Sequence, residues 1–403
     1  MFFIVEMPHD LEILKIHYYE ERVRLKEVLR MTSDHRVMEL LSNYIQHQHK
    51  GVLATVISVE GSAYKREGAK MIIEPNGHSY GIISGGCLEA DVIQNAELVL
   101  KSGKACIKRY NLNEDYVWGL GLGCPGTVEI WIEPIGNTDI WNKMAELQSC
   151  CEPNVVCRLL TEHGKAGPRL IITENEVFGE LKDAMIKEKL VLISRAKLAQ
   201  LNARSEMLAM DTLSGDIRVF LDVFLPPPQL FIFGAGYDVV PLVNISQVLG
   251  FHTTIIDSRE TYNTKERFPS ARLILAGPEK YCTIGKMNKQ SYIVIMNHHL
   301  ERDMESLAFA MRTESPYIGL LGPKKRRENL LNLLEEQNII FSKNQLEKLH
   351  SPIGLDIGAV SSEEIAVSII SEILAFRNGH KGAFLRDSPQ IHHKRSRELE
   401  EQV

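Results

Sequence analysis

Two glycines and a cysteine, Gly85-Gly86-Cys87, stand where a short apolar run ends and a helical pattern begins. Glycines open backbone torsions that other residues avoid, and they let a ligand approach the main chain. At a helix N-terminus the dipole and free amides favour a thiolate, so Cys87 is a candidate nucleophile or soft-metal ligand, with molybdenum as one such metal. Glu89 opposes this role, because a carboxylate in the first turn competes for the same positive potential. A buried structural cysteine is the alternative.

A second glycine-rich loop contains Gly121, Gly123 and Cys124 and also lies at a strand boundary. If the two loops converge, Cys87 and Cys124 face one pocket. Pro125 directly after Cys124 leaves one amide fewer to stabilise a thiolate. We therefore favour Cys87 over Cys124 as the reactive thiol.

The C-terminal half contains the pattern of a nucleotide-binding unit. A buried strand at residues 229–233 leads into Gly234-Ala235-Gly236, a helical pattern through residues 239–248, and a second strand at 253–256. Asp257 ends that strand, at the offset of about 20 residues expected for a ribose-binding carboxylate. The order of strand, glycine turn, helix, strand and acid predicts a Rossmann-like domain.

Two residues in this pattern oppose simple dinucleotide binding. Val239 occupies the third fingerprint position, where Gly or Ala normally allows close helix packing. Asp238 is a good N-cap, but its carboxylate repels a phosphate at the helix N-terminus unless a cation or protonated partner intervenes. An NAD(P)-dependent oxidoreductase that uses Gly234, Gly236 and Asp257 therefore remains the alternative function.

Further polar groups follow later strands of this predicted domain. His298 comes after an apolar run at residues 292–296, and strand C-termini bind ligands in open α/β sheets. Gly322 precedes four cations at a predicted helix start: Lys324, Lys325, Arg326 and Arg327. Cations there oppose the helix dipole, which suggests an anion site. A solvated basic face is the competing interpretation.

The elements that position these residues predict an α/β protein. We expect a small N-terminal α/β domain and a C-terminal Rossmann-like, doubly wound parallel sheet. Three prolines, Pro226-Pro227-Pro228, form the clearest linker. The predicted regions are a helical extension at 1–33, the small domain at 34–133, an intermediate β-rich region at 134–225, the Rossmann-like domain at 229–378 and a charged tail at 379–403.

Composition limits the classes of function. The 403 residues carry a formal charge of -6, which does not suggest a nucleic-acid partner. Seven cysteines without C-x-x-C spacing argue against a disulfide framework and a zinc knuckle and favour a reducing compartment. Acidic residues interrupt the apolar N-terminus, so we expect neither a signal peptide nor a membrane span. The expected location is the cytoplasm.

Several motifs together resemble the XdhC/CoxI family, the accessory factors of xanthine dehydrogenase and related molybdenum hydroxylases. The resemblance runs in order over residues 34–378. The motifs are Gly61-Ser62-Ala63-Tyr64 with Gly68-Ala69, Ser84-Gly85-Gly86-Cys87-Leu88-Glu89, the glycines of 121–126, Gly234-Ala235-Gly236, Tyr317-Ile318-Gly319-Leu320-Leu321-Gly322 and Pro352-Ile353-Gly354-Leu355-Asp356-Ile357-Gly358.

The resemblance implies a protein that binds the molybdenum cofactor (molybdopterin), keeps it available for sulfuration and passes it to a xanthine dehydrogenase-like apo-enzyme. A carrier of this kind is not expected to be the hydroxylase itself. A cysteine desulfurase and a second copy of the chain are the other expected partners. With Cys87 and Cys124 at the reactive end, the candidate cofactor-binding residues are Ser84, Gly85, Gly86, Glu89, Gly121, Gly123, Gly234, Ala235, Gly236, Asp257, Arg259, His298, Gly322, Lys324 and Lys325.

Overall fold

The computed structural model describes residues 34–61, 63–112, 126–160, 166–212 and 215–387. The chain divides into two compact units between Pro227 and Pro228, within the three-proline segment. Within the described ranges, no helix has the length and apolar character that crossing a membrane requires. The predictions for residues 1–33, for Gly121, Gly123 and Cys124, and for the tail beyond residue 387 lie outside the described residues.

The first unit contains a five-stranded antiparallel sheet in the order β3-β2-β1-β5-β4. Its elements are α1 (Asp34–Gln46), β1 (Val52–Gly61), β2 (Lys70–Ile73), β3 (Ser79–Gly81), α2 (Glu89–Ser102), β4 (Cys106–Asn111), β5 (Gly126–Pro134) and α3 (Asp139–Ser149). Side chains alternate across a strand, so Val52 and Ala54 share a core with α2, whereas Leu53 shares a core with α1 and α3. Helices therefore cover both faces of this sheet.

A second five-stranded antiparallel sheet completes this unit, in the order β8-β7-β6-β10-β9. Its elements are β6 (Asn154–Leu160), β7 (Ala166–Ile172), β8 (Val177–Phe178), α4 (Ala184–Leu198), β9 (Glu206–Thr212) and β10 (Gly215–Phe224). Helix α4 begins where the Asp183 side chain accepts a hydrogen bond from the Ile186 amide, and it buries Leu190 against Val155 and Leu221.

Five charged side chains from both sheets form what we call the buried ion cluster: Lys70, Glu133, Arg158, Arg169 and Asp222. Lys70 Nζ lies 2.6 Å from Asp222 Oδ1. Arg158 Nη2 lies 3.3 Å from Asp222 Oδ2 and 3.6 Å from Glu133 Oε1, and Arg169 also pairs with Glu133. The regions 34–133 and 134–225, which the sequence separates, thus share buried charges within one compact unit.

The second unit contains a six-stranded parallel sheet in the order β13-β12-β11-β14-β15-β16. Its elements are β11 (Gln229–Phe233), α5 (Val239–Val248), β12 (His252–Ile256), β13 (Arg272–Ile274), β14 (Ser291–Ile295), α6 (Leu300–Ala310), β15 (Tyr317–Leu320), α7 (Lys324–Glu336), α8 (Lys343–Leu346), β16 (Leu349–His350) and α9 (Ser362–Asn378). Strands β12 and β13 lie on one side of β11, and strands β14, β15 and β16 lie on the other. The chain therefore crosses from one side of β11 to the other between β13 and β14, as in a Rossmann fold.

The core of this unit consists of two layers on either side of the sheet. Leu230 and Ile232 of β11 pack with α5 and α9 on one face, whereas Phe231 and Phe233 pack with α6 and α7 on the other. Strands buried on both faces are continuously apolar, which explains the apolar run at residues 229–233. The α/β class and the Rossmann-like C-terminal domain are confirmed.

Candidate functional site

The strand order reverses between β11 and β14, and open α/β sheets bind ligands at the carboxyl ends of the strands at such a point. Two loops border this position. The first follows β11 and contains Gly234-Ala235-Gly236, and the second follows β14 and contains His298. The candidate ligand-binding residues of these two loops therefore lie at the carboxyl edge of the parallel sheet.

The glycine turn after β11 is held by side chains from other segments. Gly234 has a φ of 119°, and a Cβ there would lie 2.5 Å from the Met296 carbonyl oxygen, so no other residue fits. The Ala235 amide donates to Asp257 Oδ2 at 2.8 Å. The Arg267 guanidinium donates to the carbonyl oxygens of Ala235 and Gly236, at 2.9 Å each. Both sides of the turn are thus fixed.

The Asp257 carboxylate is buried and accepts hydrogen bonds from other groups of the protein. Its carboxylate also accepts hydrogen bonds from the Arg259 amide and guanidinium, and its side chain is only 1% exposed. Burial acts to raise the pKa of Asp257, but the Arg259 hydrogen bonds and charge outweigh it and hold the pKa below its usual value. In this structure the residue predicted to bind a ribose holds the glycine turn. Arg259 is one-third exposed and stacks over the Tyr262 ring.

Asp238 and His298 form a pair at the strand-order reversal. His298 Nε2 lies 2.6 Å from Asp238 Oδ2, and 56% of the His298 side chain is exposed. Hydrogen bonding to Asp238 raises the pKa of His298, and the negative charges of Asp238 and Asp303 act in the same direction. The expectation that Asp238 caps α5 through its side chain is wrong, because that carboxylate binds His298 instead. The Asp238 carboxylate at the start of α5 therefore has a partner that can carry a proton.

Asp303 joins the loop after β14 to the start of α7. Its Oδ1 accepts hydrogen bonds from the amide and the side chain of Asn297, both at 3.0 Å. Its Oδ2 accepts from Arg326 Nη2 at 2.5 Å, and only 1% of the Asp303 side chain is exposed. Gly322 leaves room for this bond, since a Cβ there would lie 2.6 Å from Arg326 Cδ.

The four cations at the start of α7 separate into two pairs. Arg326 binds Asp303, and Arg327 donates to the Ser351 carbonyl oxygen at 3.2 Å. Lys324 and Lys325 are exposed, and no ion pair forms with either among the residues that the structure describes. Only these two lysines of the four therefore remain available to an external anion.

Glu372 and Arg267 hold segments of the second unit in place and were missed by sequence reasoning. Glu372 accepts hydrogen bonds from Tyr317 Oη at 2.9 Å and from the Gly354 amide at 2.5 Å, and it lies 2.7 Å from His350 Nδ1. It thereby holds the loop after β16. A carboxylate beside the apolar face of α9 was the available signal for Glu372, whereas nothing in the local sequence marks Arg267.

In the first unit, the candidate loop before α2 is organised around the hydroxyl of Ser84, a residue that is 5% exposed. Ser84 Oγ accepts hydrogen bonds from the amides of Gly86, Cys87 and Leu88, each at 3.1 Å, and donates to Glu89. Glu89 Oε1 in turn accepts from the Ser84 amide at 2.9 Å. The sequence motif thus forms one local hydrogen-bond network.

The expectation of several unpaired amides beside the Cys87 sulfur is wrong. The three amides of residues 86–88 all donate to Ser84 Oγ, and Cys87 Sγ itself lies 3.4 Å from that oxygen. Cys87 is partly buried against the core of the first sheet, and Gly85 and Gly86 are exposed. The described residues contain no group of three or more His, Cys, Asp or Glu side chains that could hold a metal ion.

Comparisons with known proteins cover most of the chain. A family model described as the XdhC Rossmann domain matches residues 230–373, and one described as the XdhC and CoxI family matches residues 44–111. A Bacillus subtilis protein named as a probable subunit of xanthine dehydrogenase is 32% identical over 84% of this chain and 96% of its own length. The molybdenum cofactor insertion chaperone PaoD of Escherichia coli is 20% identical over 86% of this chain and 90% of its own.

A solved structure has the same fold. The crystal structure of a protein named xanthine dehydrogenase, from Bacillus halodurans, aligns with a TM-score of 0.71 at 30% identity. The alignment covers 89% of this chain and 98% of that chain. The likeness therefore extends over both compact units.

Proposed function

Since the chain belongs to the XdhC and CoxI family, we propose that it binds the molybdenum cofactor and delivers it to a xanthine dehydrogenase-type molybdenum hydroxylase. The E. coli relative whose name states such a role supports this proposal. The proposal includes protection of the cofactor and its sulfuration before delivery. A cysteine desulfurase as a second partner, a homodimeric state and a cytoplasmic location belong to the same proposal.

The single observation that carries this function is a group of cationic and ionisable side chains that follow the neighbouring strands β14 and β15. Lys324 and Lys325 begin α7 after β15 and are exposed without ion-pair partners among the described residues, and His298, after β14, has a raised pKa beside Asp238. Molybdopterin ends in a phosphate, and cations with N–H donors are the groups that bind phosphate in proteins. We assign Lys324, Lys325 and His298 to the phosphate.

A binding measurement with the isolated cofactor tests this assignment. Lys324→Gln/Lys325→Gln removes both exposed cations and is expected to raise the cofactor Kd about tenfold, with the effect fading at high salt. The matched control is Lys286→Gln/Lys289→Gln, which removes two exposed lysines that precede β14 and so lie toward the opposite edge of the sheet. Equal affinity of the two double variants would mean that the basic cluster is only a solvated face.

The alternative ligand, NAD(P), is disfavoured by the environment of Asp257. A ribose hydroxyl needs an accessible carboxylate, whereas Asp257 is 1% exposed and already accepts from Ala235 and Arg259. A thermal shift with NADH, NADPH and the molybdenum cofactor in parallel separates the two functions, since a ligand at 100 times its Kd stabilises by about 2.7 kcal/mol. A shift with a nicotinamide cofactor alone would reject the proposed function.

Cys87 is proposed as the contact of the metal end of the cofactor. The cofactor supplies a dithiolene-bound molybdenum, and thiolates are suitable ligands for soft metals. Cys87→Ser is expected to lose activation of an apo-hydroxylase while remaining folded, and Cys282→Ser, at an exposed cysteine of the second unit, serves as the control. Cys124→Ser tests the second loop. Full activity of both Cys87→Ser and Cys124→Ser would make the glycine-cysteine loops structural.

A further inference from the structure

The buried ion cluster of the first unit contains more positive than negative groups. Among the described residues it consists of three cations, Lys70, Arg158 and Arg169, and two carboxylates, Glu133 and Asp222. Burial acts to raise the pKa of Asp222, but the charges of Lys70 and Arg158 outweigh it and hold the pKa below its usual value. A charge without a counter-charge in a protein interior is unfavourable. The cluster would be neutral with one further anion.

Two cations of the cluster lie side by side. Strand β6 pairs with β7, and Arg158 is directly opposite Arg169 in that pairing. The side chains of directly opposite residues project from the same face of a sheet, where like charges destabilise. Burial lowers the pKa of Arg169, and the charge of Arg158 adds to this effect although Glu133 opposes it. A negative ion beside Arg158 would offset the repulsion between the two guanidinium groups.

Hydrogen-bond donors without partners surround the Arg158 side chain. Arg158 is 0% exposed, yet none of its three side-chain nitrogens forms a hydrogen bond within the part of the chain that the structure describes. Only Nη2 lies at ion-pair distance from Asp222 and Glu133. The indole N–H of Trp131, a residue that is 1% exposed, has no partner either. Most buried polar groups in native proteins are hydrogen-bonded, so these donors indicate a bound acceptor.

The strand pairings bring these donors to one place between the two sheets. Trp131 of the first sheet packs with Phe220 of the second, and Phe220 is directly opposite Arg158 in the pairing of β10 with β6. Thr55, whose hydroxyl is a further buried atom without a partner, is directly opposite Trp131 in the pairing of β1 with β5. Directly opposite residues share a face of their sheet. Arg158, Trp131 and Thr55 therefore border one polar site, here called the Arg158 site.

The composition of the Arg158 site favours a ligand that only accepts hydrogen bonds. Guanidinium and indole nitrogens can only donate, whereas the unpaired oxygens beside them are Glu133 Oε1 and Thr55 Oγ1. A buried water molecule makes about three hydrogen bonds and must donate some of them, but a halide ion donates none. Arg158, Trp131 and Thr55 are each at most 1% exposed. Such an enclosed site suits a monatomic anion better than a larger one.

We propose that the Arg158 site binds one halide ion, chloride under physiological conditions, with the Arg158 guanidinium and the Trp131 indole as its donors. The ion neutralises the buried ion cluster and satisfies N–H groups from both sheets. It thereby stabilises the contact between the two sheets of the first unit. The proposal concerns the interior of that unit and does not depend on the proposed function or on the assignment of the phosphate to Lys324 and Lys325.

The chloride dependence of unfolding tests the proposal. Urea unfolding of the full-length protein is followed by tryptophan fluorescence over a series of chloride concentrations, with gluconate replacing chloride at constant ionic strength. A ligand that binds only the folded state lowers the unfolding equilibrium constant about tenfold for each tenfold rise in its concentration above Kd. We expect this behaviour with chloride and with bromide. Unfolding midpoints of the wild type that are equal in chloride and gluconate would overturn the proposal.

Three variants locate the ion. Arg158→Met removes the guanidinium and leaves two cations with two carboxylates, so the chloride dependence should be lost. Trp131→Phe removes one donor but keeps an aromatic ring, and it is expected to weaken chloride binding several-fold. The control is Arg218→Met, at an arginine of the same sheet that is 44% exposed and paired with Glu129, and it should respond to chloride as wild type does. A folded Arg158→Met protein with the wild-type chloride dependence would overturn the proposal.

Crystals of the wild-type protein grown in sodium bromide provide a test that needs no variant. Bromide replaces chloride and scatters anomalously at the bromine absorption edge. We expect an anomalous peak within hydrogen-bonding distance of Arg158 and Trp131. Peaks confined to the protein surface would mean adventitious ions only and would reject the Arg158 site.

Discussion

The glycine turn after β11 and the Ser84 loop before α2 both contain main-chain amides or carbonyl oxygens that form hydrogen bonds with side chains. In the turn, charged side chains do so: Asp257 accepts from the Ala235 amide, and Arg267 donates to two carbonyl oxygens. In the loop, the uncharged hydroxyl of Ser84 accepts three amides, and the Glu89 carboxylate accepts from the Ser84 hydroxyl and amide. The turn is therefore held by side chains of opposite charge from distant segments, whereas the loop is held by one hydroxyl and one carboxylate of its own segment.

The largest effect is expected at the charged turn. Asp257→Ala leaves Arg259 and the Ala235 amide without their partner, and breaking a buried ion pair in this way should lower the free energy of unfolding by about 3 kcal/mol. Urea unfolding followed by circular dichroism measures the change. Asp356→Ala, at an exposed carboxylate of the same unit, is the control, and an equal effect of the two substitutions would remove the structural role assigned to Asp257.

A smaller effect is expected at the loop. Ser84→Ala removes the acceptor of three amides and should lower the free energy of unfolding of the first unit by about 2 kcal/mol, since solvent can reach part of the loop. All three tryptophans of the sequence precede the three-proline segment, so tryptophan fluorescence reports the unfolding of this unit. Ser102→Ala, at an exposed serine, should change little, and equal midpoints for the two variants would contradict the role of Ser84.

The smallest effect concerns pH. Because the folded-state pKa of His298 is raised by Asp238, the pair stabilises the protein fully below the unfolded pKa of about 6.5 and loses this contribution as pH rises through the raised value. The His298 side chain is 56% exposed, so screening limits the effect to about 0.5 kcal/mol. The stability difference between wild type and Asp238→Asn should shrink from pH 6 to pH 9, and a difference that is constant with pH would exclude this linkage.

The local order of elements in the second unit could be predicted from the sequence. The bounds of β11 and α5 match the apolar run and the helical pattern that the glycine turn separates, because strands buried on both faces are continuously apolar. The start of α9 has an equally local signal, because Ser361 and Glu364 have the spacing of a capping box and form one.

The parts that sequence reasoning missed depend on contacts between distant residues. Asp257 lies at the offset expected for a ribose-binding carboxylate, but its carboxylate accepts hydrogen bonds from Ala235 and Arg259. The bond from Ala235 forms only when the glycine turn is folded against the end of β12. Arg267 reaches back to carbonyl oxygens 31 and 32 residues earlier. Type and spacing predicted where polar groups gather, but not which of them bind one another.

The buried ion cluster limits where this chain can be cut. A fragment that ends after β5 would retain Lys70 and Glu133 but lose Asp222, Arg158 and Arg169, their partners from the second sheet. The cut would leave Lys70 and Glu133 without these ion-pair partners, and it would expose the apolar side chains of Ile57 and Trp131, which pack against Phe220 of the second sheet. The N-terminal family region is therefore expected to be recovered as soluble protein only when expression continues to the three-proline segment.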